Sequence, residues 1–135
     1  MKDKLLVVLL ITGVLAGGWS VRLYAHHSFS ATYFSDQTVK IEGKMIQFQY
    51  RNPHSFLTVE APDEQGAMQR WAIEWGGAGQ LGTQGVSRET LKPGDQIMIS
   101  GNPGRNPADH RMRLLYLRRP SDGLEWGKRP GEVVE

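Results

Sequence analysis

Residues 39–50 constrain the fold most, because apolar and polar side chains alternate there with a single slip in phase. Apolar residues occupy odd positions up to Gly43 and even positions from Ile46 onward. Alternation with a period of two is typical of a half-buried β-strand. A slip of one residue would turn the apolar side chains to the wrong face, so we predict a β-bulge or sharp bend at Gly43 in one long first strand.

Four further strands are predicted from short apolar or alternating runs bounded by turn residues. They cover residues 56–61, 69–75, 96–101 and 112–117. Ser87 is a potential N-cap, and Pro93 would stop the helix that it begins, so we predict one short helix from Ser87 through Leu91. The stretch Gly76–Gly85 is rich in glycine and favours no single structure.

The predicted order of three strands, a short helix and two strands favours an all-β domain, built as a five-stranded OB-like Greek-key barrel with one short helix. An immunoglobulin-like sandwich is the alternative, but about seven strands are typical of that fold. Proline and glycine accumulate after Arg119. We therefore assign the barrel to residues 26–122 and expect a loosely ordered C-terminal tail over residues 123–135.

Residues 1–25 have the pattern of a secretory signal peptide. Two lysines precede the apolar run Leu5–Ala16, and small residues lead toward Ala25. Cleavage after Ala25 predicts a periplasmic or secreted protein. The alternative is an uncleaved hydrophobic helix over Leu5–Val21, near the short limit for crossing a bilayer, which would anchor the domain at the inner membrane. Membrane contact is expected only in that second case.

The charge balance argues against nucleic-acid binding. The chain has 16 Lys and Arg and 14 Asp and Glu. Residues 1–25 hold three of the basic residues and one acidic residue, so the remaining 110 residues are formally neutral. The chain has no cysteine, which excludes thiolate metal sites and cysteine catalysis.

All four histidines lie beyond the predicted cleavage point. Cleavage would make His26 the first residue, with a free α-amine and an imidazole, and His27 would add a second ring. His54 follows the first predicted turn, and His110 ends the predicted loop between strands four and five. The corresponding two loops border the ligand groove of an OB barrel, so we expect His54 and His110 to approach one another.

Amine and imidazole donors favour Cu(II) first and Zn(II) second. The predicted metal ligands are therefore His26, His27, His54 and His110. A frayed, solvated N-terminus and ordinary turn histidines are the alternative explanation of the same pattern.

Weaker candidates for contact with a ligand or partner are Arg51, Asn52, Trp71, Arg111 and Arg113. Exposed tryptophans would stack on sugars, although alternating aromatic residues also fill barrels. The arginines would meet an acidic protein partner or anionic lipid, although charged side chains also protect strand edges from aggregation. There is no serine–histidine–acid set, and Glu74 has no carboxylate partner at useful spacing, so a non-catalytic role is expected.

Several short motifs together resemble a bacterial family of small exported domains, domain of unknown function 6152. They are His26-His27-Ser28, Asn52-Pro53-His54, Trp71-Ala72-Ile73-Glu74, Leu91-Lys92-Pro93-Gly94-Asp95 and Gly101. The resemblance extends from His26 to about Asp122. It implies export and a compact β-rich domain, and it supplies no catalytic residue. The family pattern has more helix formers after Glu74, so the length of the helix stays open.

The leading functional hypothesis is an exported, periplasmic, non-catalytic domain that binds copper or another divalent transition metal through its N-terminal histidines. One alternative is an accessory subunit of an exported or inner-membrane enzyme complex, with a periplasmic or membrane protein as its partner. Another alternative is a domain that binds a small molecule or a glycan.

Overall fold

The computed structural model describes Met1, residues 29–128 and Gly131. The chain separates into two compact units, Met1–Thr32 and Tyr33–Glu135. In the first unit, residues 29–32 are helical. The predicted signal peptide, His26 and His27 lie outside the described residues. Within the described ranges, no helix is both long and apolar enough to cross a bilayer.

The second unit is a closed β-barrel. Its elements are β1 (Val39–Gln49), β2 (Phe56–Pro62), β3 (Met68–Glu74), α1 (Ala78–Thr83), β4 (Gln96–Pro103), a 3-10 turn (Pro107–Asp109), β5 (Arg111–Arg119) and β6 (Leu124–Gly127). The hydrogen-bonded order is β3-β2-β1-β4-β5-β6, with antiparallel neighbours. A parallel pairing of β3 with β5 closes the first five strands into a barrel. The predicted five-stranded OB-like barrel with a short helix is confirmed.

The first strand bends as the slip in its pattern predicts. Residues 39–44 pair with β4 and residues 44–49 pair with β2, so Lys44 has a partner on both sides. The register with β2 shifts between Met45 and Gln47, just beyond the expected position. Gly43 has a different role, because a Cβ atom there would lie 2.0 Å from the carbonyl oxygen of Glu60. The strand therefore curves where two backbones approach too closely for any side chain.

The helix lies in a different place from the predicted one. Ser87 begins only a hydrogen-bonded turn, in which its hydroxyl accepts from the N–H of Glu89. The helix α1 forms instead within the glycine-rich stretch, where the fully buried Leu81 anchors it. Its first N–H groups donate to the carbonyl of Arg51 and the side chain of Asn52. Contacts with a distant loop thus override the low helix propensity of glycine.

Residues 124–127, which we expected within a loose tail, form β6 on the edge of β5. The indole of Trp126 packs edge-on against Trp75, with ring centroids 5.0 Å apart. Its Nε1 donates to the side chain of Gln84 at 2.9 Å. Packing against the core explains why a segment flanked by glycine is ordered as a strand.

Apolar residues from β1 to β5 and α1 fill the barrel. Met45, Leu57, Ile73, Ile99 and Met112 are completely shielded from solvent. Trp75 is also buried and stacks on Phe48. Trp75 therefore belongs to the hydrophobic core, which explains its place in the alternating aromatic pattern that begins in β3.

Candidate functional site

Glu74, the last residue of β3, gathers three side chains around its carboxylate. The hydroxyl of Tyr33 donates to Oε2 at 2.5 Å. Nδ1 of His54 lies 3.2 Å from Oε1, and Nη2 of Arg111 lies 3.8 Å from Oε2. The Glu74 side chain is only 12% exposed. We call these four residues the Glu74 cluster.

Closure of the barrel explains why residues so distant in sequence meet. The parallel pairing of β3 with β5 places Arg111 beside Ala72, two residues before Glu74. Tyr33 reaches the same edge through a backbone bridge to Gly104, which follows β4. His54 arrives from the loop that precedes β2. Each residue of the cluster therefore comes from a different segment of the chain.

The loop that carries His54 is held by hydrogen bonds at both ends. Ser55 donates its N–H to the carbonyl of Gly76 and accepts the N–H of Trp75. The Ser55 hydroxyl bonds with the backbone of Arg51, and Asn52 accepts from Gly79 as described above. The Asn52–Pro53 peptide bond is cis. The loop thus presents a 39% exposed His54 side chain on a fixed backbone.

The surroundings of Tyr33 keep its hydroxyl protonated. Burial raises the pKa of Tyr33, and the neighbouring Glu74 carboxylate raises it further. The guanidinium of Arg111 lies 5.9 Å from the centre of the Tyr33 ring and acts in the opposite direction. Tyr33 therefore serves as a hydrogen-bond donor to Glu74 at neutral pH.

His110 lies in a separate environment. Its ring stands edge-on to Trp71, with centroids 5.2 Å apart, and its backbone is left-handed at φ 44°. Trp71 and Glu74 are three positions apart on β3, so their side chains point to opposite faces of the sheet. The structure therefore places His110 against one face of β3 and His54 against the other.

His110 borders a groove of about 650 Å³ between the start of β1, the β2–β3 turn and the β4–β5 loop. Trp71 and Arg111 contribute the β3 and β5 sides of this groove, and Asn106 contributes the loop. Both acidic and basic residues line it, among them Lys40 and Asp63. The groove is thus mixed in charge, and aromatic residues also line it.

Within the described part of the chain, no group of three or more histidine, aspartate or glutamate side chains is placed to hold a metal ion. His54 and Glu74 provide one nitrogen and one oxygen donor. The other two predicted ligands, His26 and His27, fall outside the described residues.

Most of the residues that the sequence suggests for contact with a ligand or partner already contact other residues of the domain. The Arg51 guanidinium lies 5.3 Å from the centre of the Phe56 ring. Arg111 belongs to the Glu74 cluster, and Arg113 pairs with Glu74 in the backbone register. Further along β5, Arg118 and Arg119 form ion pairs with acidic residues of the domain. These pairs reduce the positive charge that β5 presents to a partner.

Sequence reasoning missed Glu74 and Tyr33. Glu74 has no carboxylate near it in sequence, and its structural partners are a phenol, an imidazole and a guanidinium. One feature of the sequence could have pointed to Glu74. It is the motif Trp71-Ala72-Ile73-Glu74, in which a charged residue ends an otherwise apolar run.

Residues 15–113 match a family described as "Family of unknown function (DUF6152)". No curated protein sequence matches the chain. Among solved structures, the chain is similar to Rim1, a mitochondrial single-stranded DNA binding protein from S. cerevisiae. That similarity has 11% identity and a TM-score of 0.47, and it covers 64% of this chain and 96% of the other. Because the family match extends over more than half of the sequence, the chain belongs to this family of unknown function.

Proposed function

We propose that the protein is an exported, non-catalytic domain that binds a transition-metal ion through histidines, with Cu(II) preferred over Zn(II). The observation that carries the proposal is the exposed imidazole of His54 on a loop fixed at both ends, beside an acidic oxygen. The sequence adds His26 and His27, directly after the predicted cleavage point.

The donor set favours copper. Neutral imidazole suits several divalent ions, and Cu(II) stands at the top of the affinity order for nitrogen and oxygen donors. An α-amine has a pKa near 8, so a metal ion displaces its proton at neutral pH. The amine and ring of a terminal His26 would close a chelate, and the ring of His27 would add a further nitrogen. His54 is the candidate donor within the barrel. His110 is assigned a flanking role, because its ring packs against Trp71.

Titration calorimetry with CuCl₂ tests the proposal on protein purified after export, with its first residue determined by intact mass. We expect the double variant His26→Ala, His27→Ala to bind Cu(II) more than about tenfold more weakly than wild type. We expect a loss in the same direction for His54→Ala. The matched control is His110→Ala, which should retain wild-type affinity. Equal affinity in wild type and the double variant would contradict the proposal.

A second candidate function is the binding of a small carbohydrate in the groove beside His110. The volume of about 650 Å³ lies within the usual range of ligand pockets. Trp71 and His110 supply aromatic surface, and amides such as Asn106 suit hydroxyl groups. A panel of oligosaccharides should change the tryptophan fluorescence of wild type, and His110→Ala should weaken that response. Fluorescence unchanged by every sugar would count against this candidate.

A further inference from the structure

We propose that His110 is a ligand-binding residue of the groove beside it, and that the ligand is an uncharged oligosaccharide to whose hydroxyl groups the imidazole bonds. This inference rests on the second candidate function. It adds the side chain that contacts the ligand and the charge of that ligand. All the residues that line the groove are described and belong to the second unit.

The backbone of His110 adopts a conformation that is otherwise found only at glycine in the described part of the chain. His110 closes the 3-10 turn with φ 44° and ψ 51°. The other described residues with a positive φ, six in all, are glycines. A residue with a Cβ atom is strained in this left-handed region. A histidine therefore occupies a position that glycine would fit with less strain, and such strain is common at ligand-binding sites.

Hydrogen bonds hold the backbone of His110 on both sides. Its N–H donates to the carbonyl of Pro107 at 3.2 Å, and its carbonyl accepts the N–H of Ala72 at 2.9 Å. The second bond joins the β4–β5 loop to β3, where the barrel closes. The imidazole therefore leaves the loop in a defined direction, which lowers the cost of ordering it when a ligand binds.

The ring of His110 packs against an aromatic side chain and leaves its nitrogens available. Its centroid lies 5.2 Å from that of Trp71, at an interplanar angle of 80°. The indole is held in turn by a hydrogen bond from Nε1 to the carbonyl of Ala61 at 3.2 Å. Among the described residues, none forms a hydrogen bond with a ring nitrogen of His110. A neutral imidazole therefore offers one N–H donor and one acceptor nitrogen, and both suit hydroxyl groups.

Two other polar side chains of the groove order the loops that border it. The carboxylate of Asp63 accepts the N–H groups of Gln65 and Ala67 within the β2–β3 turn. The side chain of Asn106 accepts the N–H of Ala108 within the β4–β5 loop. The imidazole of His110 therefore lies in a groove whose bordering loops are held by their own hydrogen bonds.

The charged side chains that line the groove are of both signs: Lys40, Arg111, Glu42, Asp63 and Glu64. An anionic ligand would be repelled by the carboxylates, and a cationic ligand by the basic groups. A neutral ligand with many hydroxyl groups avoids this repulsion, because a hydroxyl donates to a carboxylate and accepts from a cation. The indole of Trp71 adds apolar surface for a sugar ring. These properties together favour an uncharged oligosaccharide.

The first test is a ¹H–¹⁵N NMR titration of the full exported protein with the neutral sugars maltotriose, cellotriose and triacetylchitotriose. At least one should shift the imidazole signals of His110 and the indole signal of Trp71. The signals of His54, which lies against the other face of β3, should stay unchanged. Trigalacturonate and the glucosamine trimer are the charged controls, and each should bind at least about tenfold more weakly than the best neutral sugar. Equal or tighter binding of either control would overturn the assignment of an uncharged ligand.

The second test compares two variants that both lack the ring. His110→Gly and His110→Ala should each weaken binding of the best neutral sugar about tenfold. Only His110→Gly also removes the backbone strain, so it should unfold at a higher urea concentration than His110→Ala. Wild-type affinity in His110→Gly would overturn the role of the ring. A urea midpoint of His110→Gly equal to or below that of His110→Ala would overturn it too, because the histidine backbone would then be unstrained.

The outcomes separate this inference from the function on which it rests. Sugar binding that survives in both His110 variants would overturn the role of His110 and leave the groove as a carbohydrate site. His54→Ala is the matched control and should bind the best neutral sugar as wild type does. An equal loss in His54→Ala would also overturn the role of His110, because binding would then not depend on the face of β3. The absence of any response of wild type to these sugars would remove both the inference and the second candidate function.

Discussion

The partners of the Glu74 side chain can be identified only from the three-dimensional structure. The sequence identifies His54 as a candidate ligand, because histidine in a turn is chemically conspicuous. It does not identify Glu74 as the carboxylate beside His54, because the partners of Glu74 reach it only through tertiary contacts. His54 could therefore be singled out from the sequence, whereas its carboxylate partner became visible only in the structure.

The raised pKa of Tyr33 predicts a loss of stability in alkaline solution. An unfolded tyrosine loses its proton near pH 10, whereas the buried hydroxyl beside Glu74 keeps its proton at higher pH. The associated stability is complete below pH 10 and is lost as the pH rises further. Urea unfolding from pH 8 to pH 11 should show a smaller decline in Tyr33→Phe than in wild type. Parallel declines in the two proteins would contradict this expectation.

Gly43 provides a second test at the level of one residue. A methyl group there would collide with the carbonyl of Glu60, so Gly43→Ala should lower the free energy of unfolding by about 3 kcal/mol. The control is Gly79→Ala in α1, where the nearest atom to an added Cβ lies 3.8 Å away. That variant should be neutral or gain up to about 1 kcal/mol. If Gly79→Ala unfolded at a lower urea concentration than Gly43→Ala, the close approach of the Gly43 and Glu60 backbones would be contradicted.

Individual elements differ in how far local sequence determines them. The first five strands were predictable, because a period of two is a property of adjacent residues. The helix was not, because the capping contacts of α1 come from Arg51 and Asn52, about 27 residues upstream. The strand β6 was missed for the same reason, since contact with Trp75 orders it.

Arg119 ties the end of β5 to two neighbouring segments. Its guanidinium contacts Asp95 at 2.6 Å, the carbonyl of Thr90 at 2.7 Å and Asp122 at 2.7 Å, and its side chain is 16% exposed. Arg119→Ala should therefore cost about 2 kcal/mol of unfolding free energy. The adjacent Arg118→Ala is the control, with a single, more exposed pair and an expected cost below about 1 kcal/mol. Equal thermal midpoints for the two variants would contradict the expectation.

The ion pair between Arg119 and Asp122 predicts a loss of stability in acid. Arg119 lowers the pKa of Asp122 from 3.8 to about 2. A carboxyl group with a lowered pKa stabilises the folded state above its unfolded pKa, and that contribution disappears as the pH falls from about 4 to 2. In urea unfolding, Asp122→Asn should lose less stability than wild type across this interval. A steeper decline in the variant would be inconsistent with the ion pair.

At the scale of the whole molecule, closure of the barrel is what creates the candidate site. The pairing of β3 with β5 brings Arg111 beside the end of β3, where the loop of His54 also arrives. The proposed binding of a small cation therefore depends on the exposed imidazole of His54 and on the fixed loop that carries it. The proposed export of the chain would supply a free N-terminal amine at His26 as a further candidate donor.

The most direct test is a crystal structure of the Cu(II)-loaded, exported protein, with anomalous diffraction measured at the copper edge. The account predicts one strong copper peak within coordination distance of a ring nitrogen of His26, His27 or His54. Copper bound without a histidine ligand, or the absence of an ordered copper peak, would contradict it.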